Sequence, residues 1–371
     1  MPKWLVRLLK LTACATLLLF VAALVFVSRS RSIPLAFAPT LEASPHPPQV
    51  AGVANYVRPE VDTFYSYPEW YIVWSYQAKA GYQSRHLPSG YSYFGDIAQY
   101  WQAYSLAYSA TQGRYPFATG DHVMLLVIGS SFSVEYALKG VYEKTIGRIS
   151  EWTSHQEMVS EDLYAAQIAE DYATFVHVRP FYEYSFWKAL HGLWSSVPFR
   201  SNHRLRSIER RAWLTLDYAV ESGYCELIEL ATHLTYGYED TMTSAWIELP
   251  PQDGERALAA VPHMRIERDL GARQKIVEIP RYQEFTSSAS LLVENGVRFH
   301  EIAGSGLIAI SAIAASDWTG MVPNTQLLLS QSMFSEPGNS RVLLLCRVTA
   351  LHTVLPLLEG DRVRLEHLYD Y

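Results

Sequence analysis

DHVMLLVIGSSFSVEYALKGVYEKTIGRISEW, residues Asp121–Trp152, is the longest uninterrupted helical pattern beyond the first thirty residues, and the rest of the chain is read outward from it. Leu125, Ile128, Phe132, Tyr142, Ile146 and Ile149 recur at steps of three and four, the spacing that lines up side chains on one helix face. Glu135 and Lys139 occupy two places in that same stripe, four apart, where opposite charges pair. Met124, Val127, Val134, Leu138 and Val141 form a second apolar stripe. Gly129, Ser133 and Ala137 leave room for a close neighbour. The pattern predicts the central helix of a domain, wrapped on several sides, with an ion pair set into an apolar face.

On the N-terminal side, Leu11–Ser28 runs without a charge, enough for a helix of about 27 Å that just crosses a bilayer core. Lys3, Arg7 and Lys10 precede it and Arg29 and Arg31 follow, a bias that places the N-terminus in the cytoplasm and the remainder outside. The six prolines between Ser32 and Pro59 read as an extended linker. The resulting division is a transmembrane anchor over 1–31, a linker over 32–59, a helical domain of about six helices over 60–240, and an α+β domain over 241–371.

Within the helical part, Pro68 is expected to open one helix and Asp96 to lie near the start of the next. Ser160 starts another that Pro180 stops, and two more cover about Phe181–Ser195 and His203–Tyr236. After Thr241 the texture turns to short β-rich runs. Strands are expected at Trp246–Leu249, Lys275–Pro280, Val297–Ile302, Leu307–Ala314, Thr325–Ser332, Arg341–Val348 and Val363–Tyr369. Helices are expected at Glu255–Val261, Gln283–Glu294 and Ala350–Leu358. Val297–Ile302 and Leu307–Ala314 read as a hairpin, and Thr325–Ser332 and Arg341–Val348 as a second pair. The order suggests an α+β, ferredoxin-like sandwich.

The totals exclude some classes. Thirty Lys and Arg against 37 Asp and Glu give a net charge of −7, with no basic run able to track a phosphate backbone, so nucleic acid is not an expected partner. No histidine pair or cysteine box has metal spacing, and no glycine-rich loop has nucleotide-binding spacing, so no metal and no cofactor are expected. Cys225 and Cys346, both in apolar settings, read as buried thiols.

Two groups of residues carry candidate chemistry. Glu135, with Lys139 beside it, is either a desolvated acid or one rung of a structural ion-pair ladder with Glu143. Trp70, Tyr71, Trp74 and Trp101 belong to an aromatic run that either lines a ligand cleft or fills a core. The expectation is therefore a membrane-anchored extracytoplasmic protein that meets lipid through its N-terminal helix and acts as a non-catalytic binding or assembly module, with a possible protein partner. The alternative is an enzyme acting on a lipid or glycan, with Glu135 as the acid in an aromatic-lined cleft.

Overall fold

The computed structural model describes residues 62–198, 202–235, 242–318, 321–360 and 362–370; the expected anchor and linker lie outside the described residues. The fold is α+β, with about nine helices and two antiparallel sheets among the described residues.

The helices come first. They are α1 (Asp62–Gln83), α2 (Tyr93–Thr111), α3 (Thr119–Tyr142), α4 (Arg148–Thr153), α5 (Ser160–Val176), α6 (Phe186–Ser195) and α7 (Arg204–Thr235). Pro68 lies inside α1 rather than at its start. Its ring forgoes one backbone hydrogen bond, and the buried aromatic stripe on both sides of it holds the helix together. Between α3 and α4 the chain keeps its axis through a π-helical turn, Glu143–Gly147.

The expected wrapping of α3 does not occur. Leu125, Phe132 and Tyr136 are buried, but Val123, Met124, Val127, Leu138 and Val141 are exposed, and so are Ile146 and Ile149. The wider π turn rotates everything after Tyr142, which carries Ile146 and Ile149 off the face that Leu125 and Phe132 begin. On the buried side the small residues serve a ring rather than a helix. A Cβ on Gly129 would come within 2.0 Å of the Tyr100 ring, whose hydroxyl donates to the Leu125 carbonyl at 2.6 Å.

α7 shows the same inversion more fully. Leu205, Ile208, Ala212, Leu216, Val220 and Gly223 are exposed along its outer side, while Arg206, Arg210 and Arg211 are buried beneath. Charge lies inside this helical layer and hydrocarbon outside.

The remaining elements are β1 (Met242–Glu248), α8 (Gly254–Ala259), β2 (Arg265–Gly271), β3 (Gln274–Pro280), α9 (Gln283–Glu294), β4 (Arg298–Ile302), β5 (Leu307–Ala315), β6 (Thr325–Ser332), β7 (Asn339–Arg347), β8 (Glu359–Gly360) and β9 (Val363–Leu368). One sheet has the order β2-β3-β1-β4 and the other β6-β7-β5-β9-β8. The expected hairpin of β4 with β5 is not formed: β4 pairs with β1, β5 pairs with β7 and β9, and a single bridge between Ile302 and Ser305 marks where the chain changes sheets.

The second sheet is buried on both faces, and its strands alternate accordingly. Ile308, Ile310, Leu344 and Cys346 join Phe285 and Leu292 of α9 and Ile247 of β1 in one core. Leu307, Ala309, Leu343 and Leu345 face the other way, into a core shared with α1 and α2. Polar ties cross the same boundary. Thr63 Oγ1 accepts from the Ala309 amide at 2.8 Å, the Tyr67 hydroxyl donates to Gln331 at 2.7 Å, and Gln331 donates onward to the Gln99 carbonyl at 2.9 Å.

Candidate functional site

The four aromatic candidates are core. Trp70, Tyr71, Trp74 and Trp101 are all buried in the cluster that joins the helices to the second sheet. The Trp70 ring sits 3.8 Å from that of His367, centroid to centroid, and the Trp101 indole donates to Ser133 at 3.0 Å. Packing has taken the surface that a ligand would need.

Glu135 and Lys139 are brought together, 2.9 Å apart, but not as an isolated pair. The Lys139 ammonium also reaches Asp217 at 3.2 Å and Glu221 at 2.9 Å on α7, and Lys79 of α1 lies 4.0 Å from Glu135. The Tyr76 hydroxyl donates to the second oxygen of Glu135 at 2.8 Å. Two lysines thus face three carboxylates. Burial alone would raise the Glu135 carboxyl, but Lys139, Lys79 and the hydrogen bonds from Lys139 and Tyr76 more than offset it and hold it below the usual carboxylate range. Burial lowers Lys79, helped by the nearby Lys139. Burial pushes Glu221 up to about 7, against the pull of Lys139, because it shares that lysine with Glu135 and Asp217.

Along the same seam the π turn points Glu143 inward onto Arg210, at 2.7 Å. Gly147 makes that possible, since a Cβ there would come within 2.5 Å of the Glu143 carboxylate. Asp162 of α5 holds Arg206 at 2.9 Å and meets Arg210 Nε at 2.9 Å, an ionic contact without hydrogen-bond geometry. Arg206 also reaches Glu209 at 2.9 Å and donates to the Gly147 carbonyl at 3.2 Å. Arg211 pairs with Glu161 at 2.8 Å. These contacts place α7 antiparallel to α3 and zip the layer with charge.

The Glu135 pair was readable from its spacing. Its partners Asp217 and Glu221 were not, nor were Arg206 and Arg210 farther along the seam, because α7 carries apolar and polar residues both at steps of three and four, and either stripe satisfies a helical period. A further buried acid was also missed. Asp96 accepts from Tyr71 at 2.9 Å and from Tyr91 at 2.5 Å, and burial raises it to about 7 against those two bonds.

Along the seam lies a cavity of about 60 Å³ bordered by Tyr76, Lys79, Glu135, Lys139, Asp217 and Glu221. Every charged group lining it is paired within 4.0 Å. A cavity of that size holds a few waters; small-molecule sites run from about 300 Å³ upward. No protein-family model, no curated protein and no solved structure matches this chain.

The raised acids have a measurable consequence. A free glutamate titrates near 4.5 and Glu221 near 7, so between those values the folded chain keeps a proton that the unfolded chain has lost. Stability accordingly falls as pH rises through that window, by on the order of 3 kcal/mol for a shift of this size. Melting curves should show that decline in the wild type and a flatter profile in Glu221→Gln.

Proposed function

We propose that this chain is a membrane-anchored, extracytoplasmic, non-catalytic binding or assembly module. One observation carries the reading: the charged cavity at Glu135 is about 60 Å³ and its ionic groups are mutually satisfied, as in a structural network. The enzyme alternative asks Glu135 to be a proton donor, which requires a carboxyl raised towards neutral pH. Glu135 is held low instead. Glu221 has the pKa of a donor but opens into the same small cavity.

The uncharged run Leu11–Ser28, flanked by basic residues, supports a single transmembrane helix with a cytoplasmic N-terminus. For the C-terminal part, the strand order β2-β3-β1-β4, antiparallel at every neighbour, with α8 and α9 in the crossovers, supports a ferredoxin-like unit to which the second sheet is added. Such a unit hosts many functions and selects none.

Membranes carrying the full chain, washed with high salt and then at alkaline pH, should retain it, because an uncharged, mainly apolar run of 18 residues across the core holds far more tightly than a surface contact. Recovery of a soluble form beginning near Pro39 would overturn the anchor.

A further inference from the structure

The outer faces of α3 and α7 lie side by side. The pairs Ser131–Tyr224, Lys139–Glu221, Glu143–Arg210 and Gly147–Arg206 run antiparallel along the seam between them. Between Ser131 and Tyr142 on α3 and between Arg206 and Tyr224 on α7 the exposed positions are Leu138, Val141, Ile208, Ala212, Leu216, Val220 and Gly223, with Leu138 at 64% and Leu216 at 57% exposure. The most apolar 18-residue window of 119–153 has a mean hydropathy of 1.3 and is only 28% buried. From Leu205 to Leu227 the α7 stripe is about 33 Å long. Exposed apolar stripes of this length mark an interaction site.

Two features identify what covers it. Exposed Lys144, Arg148 and Arg204 gather at one end of the face, next to the exposed indole of Trp152, the basic and aromatic signature of a headgroup boundary. At that end opens a cavity of about 370 Å³ lined by Arg85, His86, Ser89, Arg148, Glu151 and Trp152. The carboxylate within it is already committed, Glu151 accepting from the Ser89 amide at 3.2 Å and lying 3.7 Å from Arg206. Among the described residues neither Arg85 nor Arg148 has a carboxylate partner. Extended, residues 29–61 span at most about 120 Å, so the uncharged run Leu11–Ser28 keeps the domain within reach of the bilayer it enters.

We propose that the joint outer face of α3 and α7 docks flat on an anionic phospholipid bilayer, its hydrocarbon covering the apolar stripes and a lipid phosphate entering the cavity lined by Arg85 and Arg148. This deepens the membrane reading above and borrows from it only the proximity of a bilayer. The seam of charges beneath holds the two helices side by side, so that neither stripe has to pack on protein.

The test uses the full chain, with Cys14 replaced by Ser, in vesicles of phosphatidylcholine alone and of equimolar phosphatidylcholine and phosphatidylglycerol. An environment-sensitive probe is attached at Leu138→Cys, at Leu216→Cys or, as control, at Gln167→Cys on the polar outer side of α5. The expected result is quenching of the first two probes, and not the third, by nitroxides on the lipid chains, stronger in the anionic vesicles. Arg85→Ala and Arg148→Ala should each lower the quenched fraction in anionic vesicles about fivefold, the factor set by about 1 kcal/mol per basic residue at such a surface. Probes at 138 and 216 that stay open to an aqueous quencher while the chain survives an alkaline wash would overturn the docking face and leave the anchor standing. Probes shielded from water yet untouched by lipid nitroxides would assign the face to a second copy and also overturn it. Loss of the chain from vesicles on alkaline washing, with quenching before the wash, would remove the anchor and keep the docking face.

Discussion

Arg210→Ala is expected to cost about 3 to 5 kcal/mol. The side chain is almost wholly buried and is held 2.7 Å from Glu143 and 2.9 Å from Asp162. Removing it leaves the Glu143 carboxylate in a low-dielectric site without its direct partner, and an uncompensated buried charge costs several kcal/mol whatever the net worth of the original pair. Burial alone would lower the Arg210 guanidinium; Glu143, Asp162 and Glu209 instead raise it well above its ordinary value, so it is charged at every accessible pH. Arg179→Ala is the control. Its pair with Glu183 at 3.6 Å is largely exposed on both sides, and its loss should cost well under about 1 kcal/mol. Thermal melts of the two variants should therefore separate widely. Equal melting temperatures would mean that the buried seam contributes no more than a surface pair.

Leu345→Ala should cost about 2 to 5 kcal/mol and should act on both halves of the chain. Leu345 lies on β7, but its neighbours in the core include residues of α1 and α2, and it has no exposed surface. Truncation removes the transferred apolar area and leaves a cavity among large rings that cannot collapse into it. The helices and the second sheet share that core and the ties from Thr63, Tyr67 and Gln99. A far-ultraviolet melt and a tryptophan-fluorescence melt should consequently move down together. Two separated transitions, with only one shifted, would show that 60–240 and 241–371 unfold as independent domains.

The elements of the chain were largely written in its periodicities. Gln283–Glu294 forms α9 as expected, and β6 pairs with β7 across the predicted turn. β2, Arg265–Gly271, was missed because it is an exposed edge strand with four charged residues in seven, and such a strand need not alternate. The pairing of β4 with β5 failed for a different reason. A short Gly-rich connection between two strands fits a hairpin and fits equally a step from one sheet to the next, and only tertiary packing decides.

The candidate site was legible to about half its depth. Spacing along one helix revealed Glu135 with Lys139, because i,i+4 neighbours share a helix. Lys79, Asp217 and Glu221 come from helices distant in sequence, and no local pattern announces them. The inside-out arrangement was hidden by a general habit of folded chains. Apolar stripes are normally the buried ones, so the sequence pattern places both stripes of α3 in the interior. The charges of α7 take that interior instead, and Met124, Val127, Leu138 and Val141 are turned outward.

On the reading proposed above, the buried charges of the helical layer are scaffold rather than chemistry. The most direct measurement compares the stabilities of Lys139→Met and Glu135→Gln. Lys139 serves Glu135, Asp217 and Glu221 at once, so removing its charge should cost more than about 3 kcal/mol as three carboxylates are left around Lys79. Glu135→Gln keeps the shape that Tyr76 and Lys139 contact while removing one carboxylate from the surplus, and should cost less than about 1 kcal/mol. A Lys139→Met chain that melts with the wild type would contradict the account, because a cluster that contributes nothing to stability must be kept for something it does.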